Sequence, residues 1–159
     1  MNPRDELETK SIFVGLSREQ LEKIIRVMRL RHFEPGDMIL TQGSTVKSLN
    51  VIRFGKVRIF TTSETGEQIT LSEMSGKANL FSQYGGEFFG EMSLFDYEPV
   101  SASVVAVEPT ELWQISQEDL FRLFREDPEL QIIILTNLVR ILSRRLRLAN
   151  ATIRSLQPA

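Results

Sequence analysis

Near the C-terminus, Ile132, Leu135, Val139, Leu142, Leu146, Ala149, Ile153 and Leu156 recur at alternating intervals of three and four residues. That is the a/d repeat of a helix that packs lengthwise against another helix. A second apolar seam, Ile134, Leu138, Ile141 and Leu148, runs beside it. At ~1.5 Å per residue, a helix of ~27 residues is a rod of about 40 Å, longer than a small domain needs to cover its own core. One seam can lie on the chain's own body. The other, through Leu135, Val139, Leu142, Leu146, Ala149 and Ile153, is expected to meet its counterpart in a second copy. Asp127-Pro128 marks the start of this helix, because proline is tolerated at a first helical position, whose N–H has no partner in any case.

Two further helices are marked by their caps. Ser17 with Gln20 forms a capping box ahead of Leu21, Ile24, Ile25 and Met28, and Ser116 precedes Leu120, Phe121, Leu123 and Phe124. Between them the period changes at Pro35-Gly36-Asp37. Met38 to Thr41, Leu49 to Phe54, Lys56 to Thr62, Gln68 to Met74, Ala102 to Val107 and Glu111 to Ile115 read as strands, punctuated by Gly43, Gly55, Gly66 and Pro109. The expected fold is mainly β with flanking helices: a double-stranded β-roll of jelly-roll type, an N-terminal helix and a long C-terminal dimerisation helix. One domain is expected over 1–159. It divides into an N-terminal helical segment (1–32), a β-roll (33–116) with a turn of special interest at 85–104, and C-terminal helices (117–159).

Composition narrows the chemistry. The 159 residues contain no cysteine and one histidine, His32, which rules out thiolate and multi-imidazole metal sites and suits a reducing, cytoplasmic compartment. No metal and no enzymatic activity are expected, and His32 reads as a strand-edge residue. A net charge of −2 gives no polyanion-binding footprint, although five arginines (Arg140, Arg144, Arg145, Arg147 and Arg154) crowd the last helix. They read as a solvated flank that complements the helix dipole. No apolar run approaches the ~20 residues that span a bilayer, so no membrane association is expected.

The most specific segment is Gly86-Glu87-Phe88-Phe89-Gly90-Glu91-Met92-Ser93-Leu94. Phe88 and Phe89 read as strand-end core residues, Gly90 as a turn or close approach, and Glu91 as the start of a helical turn. Five ordered motifs accompany it: Pro35-Gly36-Asp37-x-Ile39, Gly43, Val51-Ile52-x-x-Gly55-x-Val57-x-Ile59, Gly66-Glu67, and Pro99-Val100-Ser101-Ala102. Together with the Leu-rich helix bearing Arg144-Arg145-Leu146, this order resembles the cyclic nucleotide-binding domain of the catabolite activator family, from about Phe13 to Leu156.

The resemblance implies a regulatory module that binds a cyclic nucleotide, cAMP or cGMP. It places Gly90, Glu91, Met92 and Ser93 in the phosphate cassette, with backbone N–H groups toward the phosphate and the Glu91 carboxylate toward the ribose 2′-OH. Ser101 falls beside the phosphate arginine, and Asn150 at a base-side position. The arginine itself is replaced by Val100, so the phosphate site is expected to be degenerate. Ser75 to Ser82 reads as extra length before the cassette that could bring Lys77 or Gln83 inward. Family regulators continue into a helix-turn-helix beyond the long helix. The sequence ends at Ala159, and the expected partners are a second copy and a downstream protein it does not identify, rather than DNA. The other reading open at this point is a vestigial pocket in a dimeric interaction or scaffold module.

Overall fold

A computed structural model describes residues 2–77 and 87–158. Helix α1 (Pro3–Glu8), a 3-10 turn (Ser11–Phe13) and α2 (Arg18–Val27) lead into strands β1 (Arg29–Phe33), β2 (Met38–Leu40), β3 (Ser48–Phe54), β4 (Lys56–Thr62) and β5 (Gln68–Ser75). There follow β6 (Phe88–Phe89), α3 (Glu91–Phe95), β7 (Ser103–Ala106), β8 (Thr110–Ser116), α4 (Gln117–Glu126) and α5 (Pro128–Leu156). The eight described strands form two antiparallel four-stranded sheets, ordered β1-β8-β3-β6 and β2-β7-β4-β5. This is the β-roll with flanking helices that the glycine-punctuated pattern implies.

The caps behave as their chemistry requires. Ser17 and Gln20 make both bonds of the capping box, Ser116 Oγ accepts from Asp119 N, and Asp127 accepts from Leu130 N with Pro128 at the first turn. The N-terminal helical segment ends earlier than residue 32. Met28 is already extended, and Leu30 pairs with Trp113, so Arg29–Phe33 becomes the edge strand of one sheet and carries the exposed His32. His32 Nδ1 lies 2.9 Å from Glu111 Oε1.

Two apolar clusters share the roll. One gathers Leu49, Val51, Phe88 and Ile115 under the helices, with Ile12, Phe13, Leu21, Ile24, Leu120, Ile134, Leu138 and Ile141. The other lies between the sheets and holds Ile52, Val57, Met74, Phe89, Val104 and Leu112. Consecutive strand residues point to opposite faces, so the two-residue β6 sends Phe88 into the first cluster and Phe89 into the second. The turn that follows β6 is thereby fixed from both sides.

Helix α5 divides its two seams. Ile134, Leu138 and Ile141 are buried in the first cluster, whereas Ile132, Val139, Leu146 and Ile153 are 57–65% exposed. Leu135 and Leu142 lie between these extremes. Buried Asn137 ties the helix to the N-terminus, its Nδ2 donating to the carbonyls of Ile12 (2.9 Å) and Val14 (2.8 Å). Asn137→Ala leaves both carbonyls short of a donor, and the expected loss is about 1–3 kcal/mol in urea unfolding.

Candidate functional site

The cassette begins at Gly90, whose φ of +89° is left-handed backbone open to glycine at little cost. A Cβ there would collide with the Ser48 carbonyl oxygen and lie 3.0 Å from Asn50 Nδ2. Asn50 is itself fully buried and bonded to Ser48 and Gln114. Gly90→Ala combines a strained φ with a clash against backbone, so its expected cost is at least about 2–4 kcal/mol, read as a lowered urea midpoint.

Gly90 caps the short helix α3, which carries Glu91, Met92 and Ser93. Glu91 is 6% exposed and Ser93 4%. Arg145, one turn beyond Ile141 on α5, reaches into the same place. Its Nη1 donates to Glu91 Oε1 at 2.6 Å, its Nη2 to the Phe88 carbonyl at 2.9 Å, and its guanidinium carbon stands 4.6 Å from the centroid of the Phe88 ring. Burial pushes the Glu91 carboxyl above the usual carboxylate range, and the Arg145 charge and hydrogen bond oppose that shift. A single guanidinium thus joins the long helix to both the strand and the helix of the cassette. Reading the five C-terminal arginines as a solvated flank is wrong for this one, because its side chain is only 17% exposed.

The residue before Phe88 anchors the other end. Glu87 is 1% exposed; its Oε1 accepts from Ser11 N (2.7 Å) and Ser11 Oγ (3.1 Å), and its carbonyl accepts from Ile52 N at 2.7 Å. Burial raises its pKa against the bonds from Ser11 and the charge of Lys10. Through Glu87 the N-terminal turn, like α5, is tied to the cassette.

Val100 is 5% exposed, and two backbone bonds fix it to the β2–β3 turn: Val100 N to Ser44 O (2.9 Å) and Gly43 N to Val100 O (2.8 Å). An apolar side chain is therefore packed at position 100, where the resemblance noted above implies a guanidinium. Ser101 and Met92 are exposed and meet at 3.9 Å, Oγ to Sδ. Asn150 is exposed and, at ~1.5 Å per residue, ~7.5 Å further along α5 than Arg145. Lys77 is exposed, while Gln83, Gly85, Gly86 and most of the extra 75–82 length lie outside the described residues. Among the described residues no three His, Asp or Glu side chains gather as a metal cage, and no helix is long and apolar enough to cross a membrane.

Comparison with known proteins gives a consistent answer. The sequence model of the cyclic nucleotide-binding domain matches residues 30–127. The cyclic AMP receptor protein of Thermus thermophilus is 37% identical over 139 residues, covering 87% of this chain and 58% of that protein. The chain therefore spans little more than half of that relative. The crystal structure of the Thermus thermophilus catabolite activator protein superposes with a TM-score of 0.73 at 35% identity, over 92% of this chain and 62% of that one. A cyclic nucleotide-binding domain from Methylobacillus flagellatus superposes with a TM-score of 0.81 over 98% of this chain and 86% of that one, and at 24% identity this likeness speaks for the fold.

Proposed function

Since the chain belongs to the cyclic nucleotide-binding domain family, we propose that it is a non-enzymatic regulatory module, with residues 1–159 working as one unit. Its ligand is nucleotide-like and enters at Gly90, Glu91, Met92, Ser93, Val100 and Ser101. The observation that carries this reading is the Arg145–Glu91 contact. It ties a buried carboxylate of the cassette to the helix that exposes an apolar seam. A ligand hydroxyl that bonds Glu91 competes with Arg145 for the same oxygens, so occupancy alters the docking of α5. A downstream protein, or a domain attached to α5, reads that change. A cytoplasmic working place fits the cysteine-free composition.

Dimerisation through α5 is part of the same proposal. Four apolar side chains left open at heptad spacing, Ile132, Val139, Leu146 and Ile153, support it, and Leu135, Leu142 and Ala149 complete the seam. In such a pair Asn150 of one chain faces its equivalent near the seam, where the partner helix, and not the chain's own body, sets what it reaches.

The degenerate phosphate site makes binding weak. Truncating one partner of a desolvated guanidinium–phosphate pair costs ~2–5 kcal/mol, and a packed valine is such a truncation. A second reading, a vestigial pocket in a scaffold dimer, is favoured by one fact: Arg145 already satisfies Glu91 with no ligand present. Thermal unfolding separates the two. Millimolar cAMP or cGMP at ~10-fold above Kd stabilises by about 1.4 kcal/mol, or roughly 3–6 °C in a chain of this length. That rise is the expected result for at least one nucleotide, and no shift for either supports the scaffold.

A further inference from the structure

Charge around the cassette has a one-sided distribution that no ligand phosphate would welcome. From Lys77 to Arg122 the intervening sequence contains no Lys or Arg and eight carboxylates. Neither the cassette nor strands β7 and β8 can therefore offer a cation, and in the loop before it the last one is the exposed Lys77. Three cations on other elements are already engaged. Arg145 is spent on Glu91 and the Phe88 carbonyl. Lys47 rests 5.9 Å above the Tyr97 ring, and Arg58 lies over the Phe60 ring with Gln68 and Thr70 as acceptors. Asp96 and Glu98, both exposed, follow α3 directly and add negative charge. Val100 adds a buried hydrocarbon side chain and no charge.

An anion that enters this place loses hydration and meets a buried guanidinium that Glu91 already neutralises. A neutral ligand avoids that cost and still meets the polar group the site does offer. The Glu91 carboxylate has roughly four lone-pair positions, so its bond to Arg145 leaves acceptor capacity for a sugar diol. On these grounds we propose that the pocket prefers an uncharged, diol-bearing ligand of the nucleoside class over the corresponding cyclic nucleotide monoanion. The inference rests on the reading of Glu91 as the ligand-facing carboxylate given above.

The test is isothermal titration of the full chain with adenosine, guanosine, cAMP and cGMP at low and at high salt. Adenosine or guanosine is expected to bind at least about tenfold tighter than its own cyclic nucleotide, with the gap narrowing as salt screens the repulsion. Val100→Arg is expected to reverse the order. Cyclic nucleotides binding wild-type protein as tightly as, or more tightly than, the nucleosides would overturn this inference and leave the ligand-binding reading standing. A Val100→Arg protein that folds but still favours the nucleoside would overturn it too, because charge would then not be the discriminator. Binding of none of the four would remove both the inference and the reading beneath it.

Discussion

Arg145→Ala is expected to destabilise the fold by about 3–5 kcal/mol at neutral pH, far more than an ordinary surface arginine, because it strands a buried carboxylate without its countercharge. The side chains of the pair are only 17% and 7% exposed, so solvent cannot replace the lost partner. The effect depends on pH in a definite direction. Burial already holds the folded-state pKa of Glu91 above its ordinary value, so its proton is bound more tightly folded than unfolded. Such a group favours folding at low pH, and its contribution is lost as pH rises through the folded value. Removing Arg145 takes away two of the three influences that lower that pKa and moves it further up. The gap in stability between wild type and Arg145→Ala is therefore widest at neutral pH and shrinks on acidification, as Glu91 in the variant takes up its proton. Urea unfolding of both proteins across the acid range measures this directly, and a gap that does not change with pH would mean that Arg145 acts by packing on Phe88 alone. Replacing both partners, Glu91→Gln with Arg145→Met, is expected to recover most of the loss, since no buried charge remains.

The double substitution Val139→Glu with Leu146→Glu is expected to turn a dimer into a monomer. Each side chain is 62% exposed in the single chain, so the change should alter monomer stability by no more than about 0.5 kcal/mol per site. In a two-fold pair, four apolar side chains would leave the interface. At ~1.5–3 kcal/mol for each buried Val or Leu, this removes at least about 6 kcal/mol, roughly four decades in association constant, before carboxylate repulsion is added. Sedimentation gives the mass and circular dichroism checks the helix. A variant that remains dimeric would show that the exposed seam of α5 is not the interface.

What the sequence discloses and what it hides have physical causes. Ser17, Ser116 and Asp127 announce their helices because a cap is a local hydrogen bond between residues two or three apart. Strands β4 and β5 alternate clearly enough to be placed within a residue. By contrast β1, Arg-Leu-Arg-His-Phe, is an exposed edge strand with a polar majority, and its pairing with β8 is a long-range event that no local pattern records. The two residues of β6 are too few to show a period at all, although Phe88 and Phe89 are legible as core. Gly90 and Glu91 stand out through their motif. Arg145 does not, because a charged residue in an arginine-rich helix resembles a solvated flank. Yet the signal exists: Ile134, Leu138, Ile141 and Leu148 leave a gap at the step of four after Ile141, and Arg145 fills it. An arginine at a core-facing heptad position needs a buried acid, and Glu91 is that acid.

The proposed ligand site lacks one part, the guanidinium at position 100. Isothermal titration of cAMP into wild-type protein and Val100→Arg tests it most directly. A restored guanidinium–phosphate pair should tighten cAMP binding by at least about thirtyfold. A well-folded Val100→Arg protein that binds cAMP no better than wild type would contradict the account.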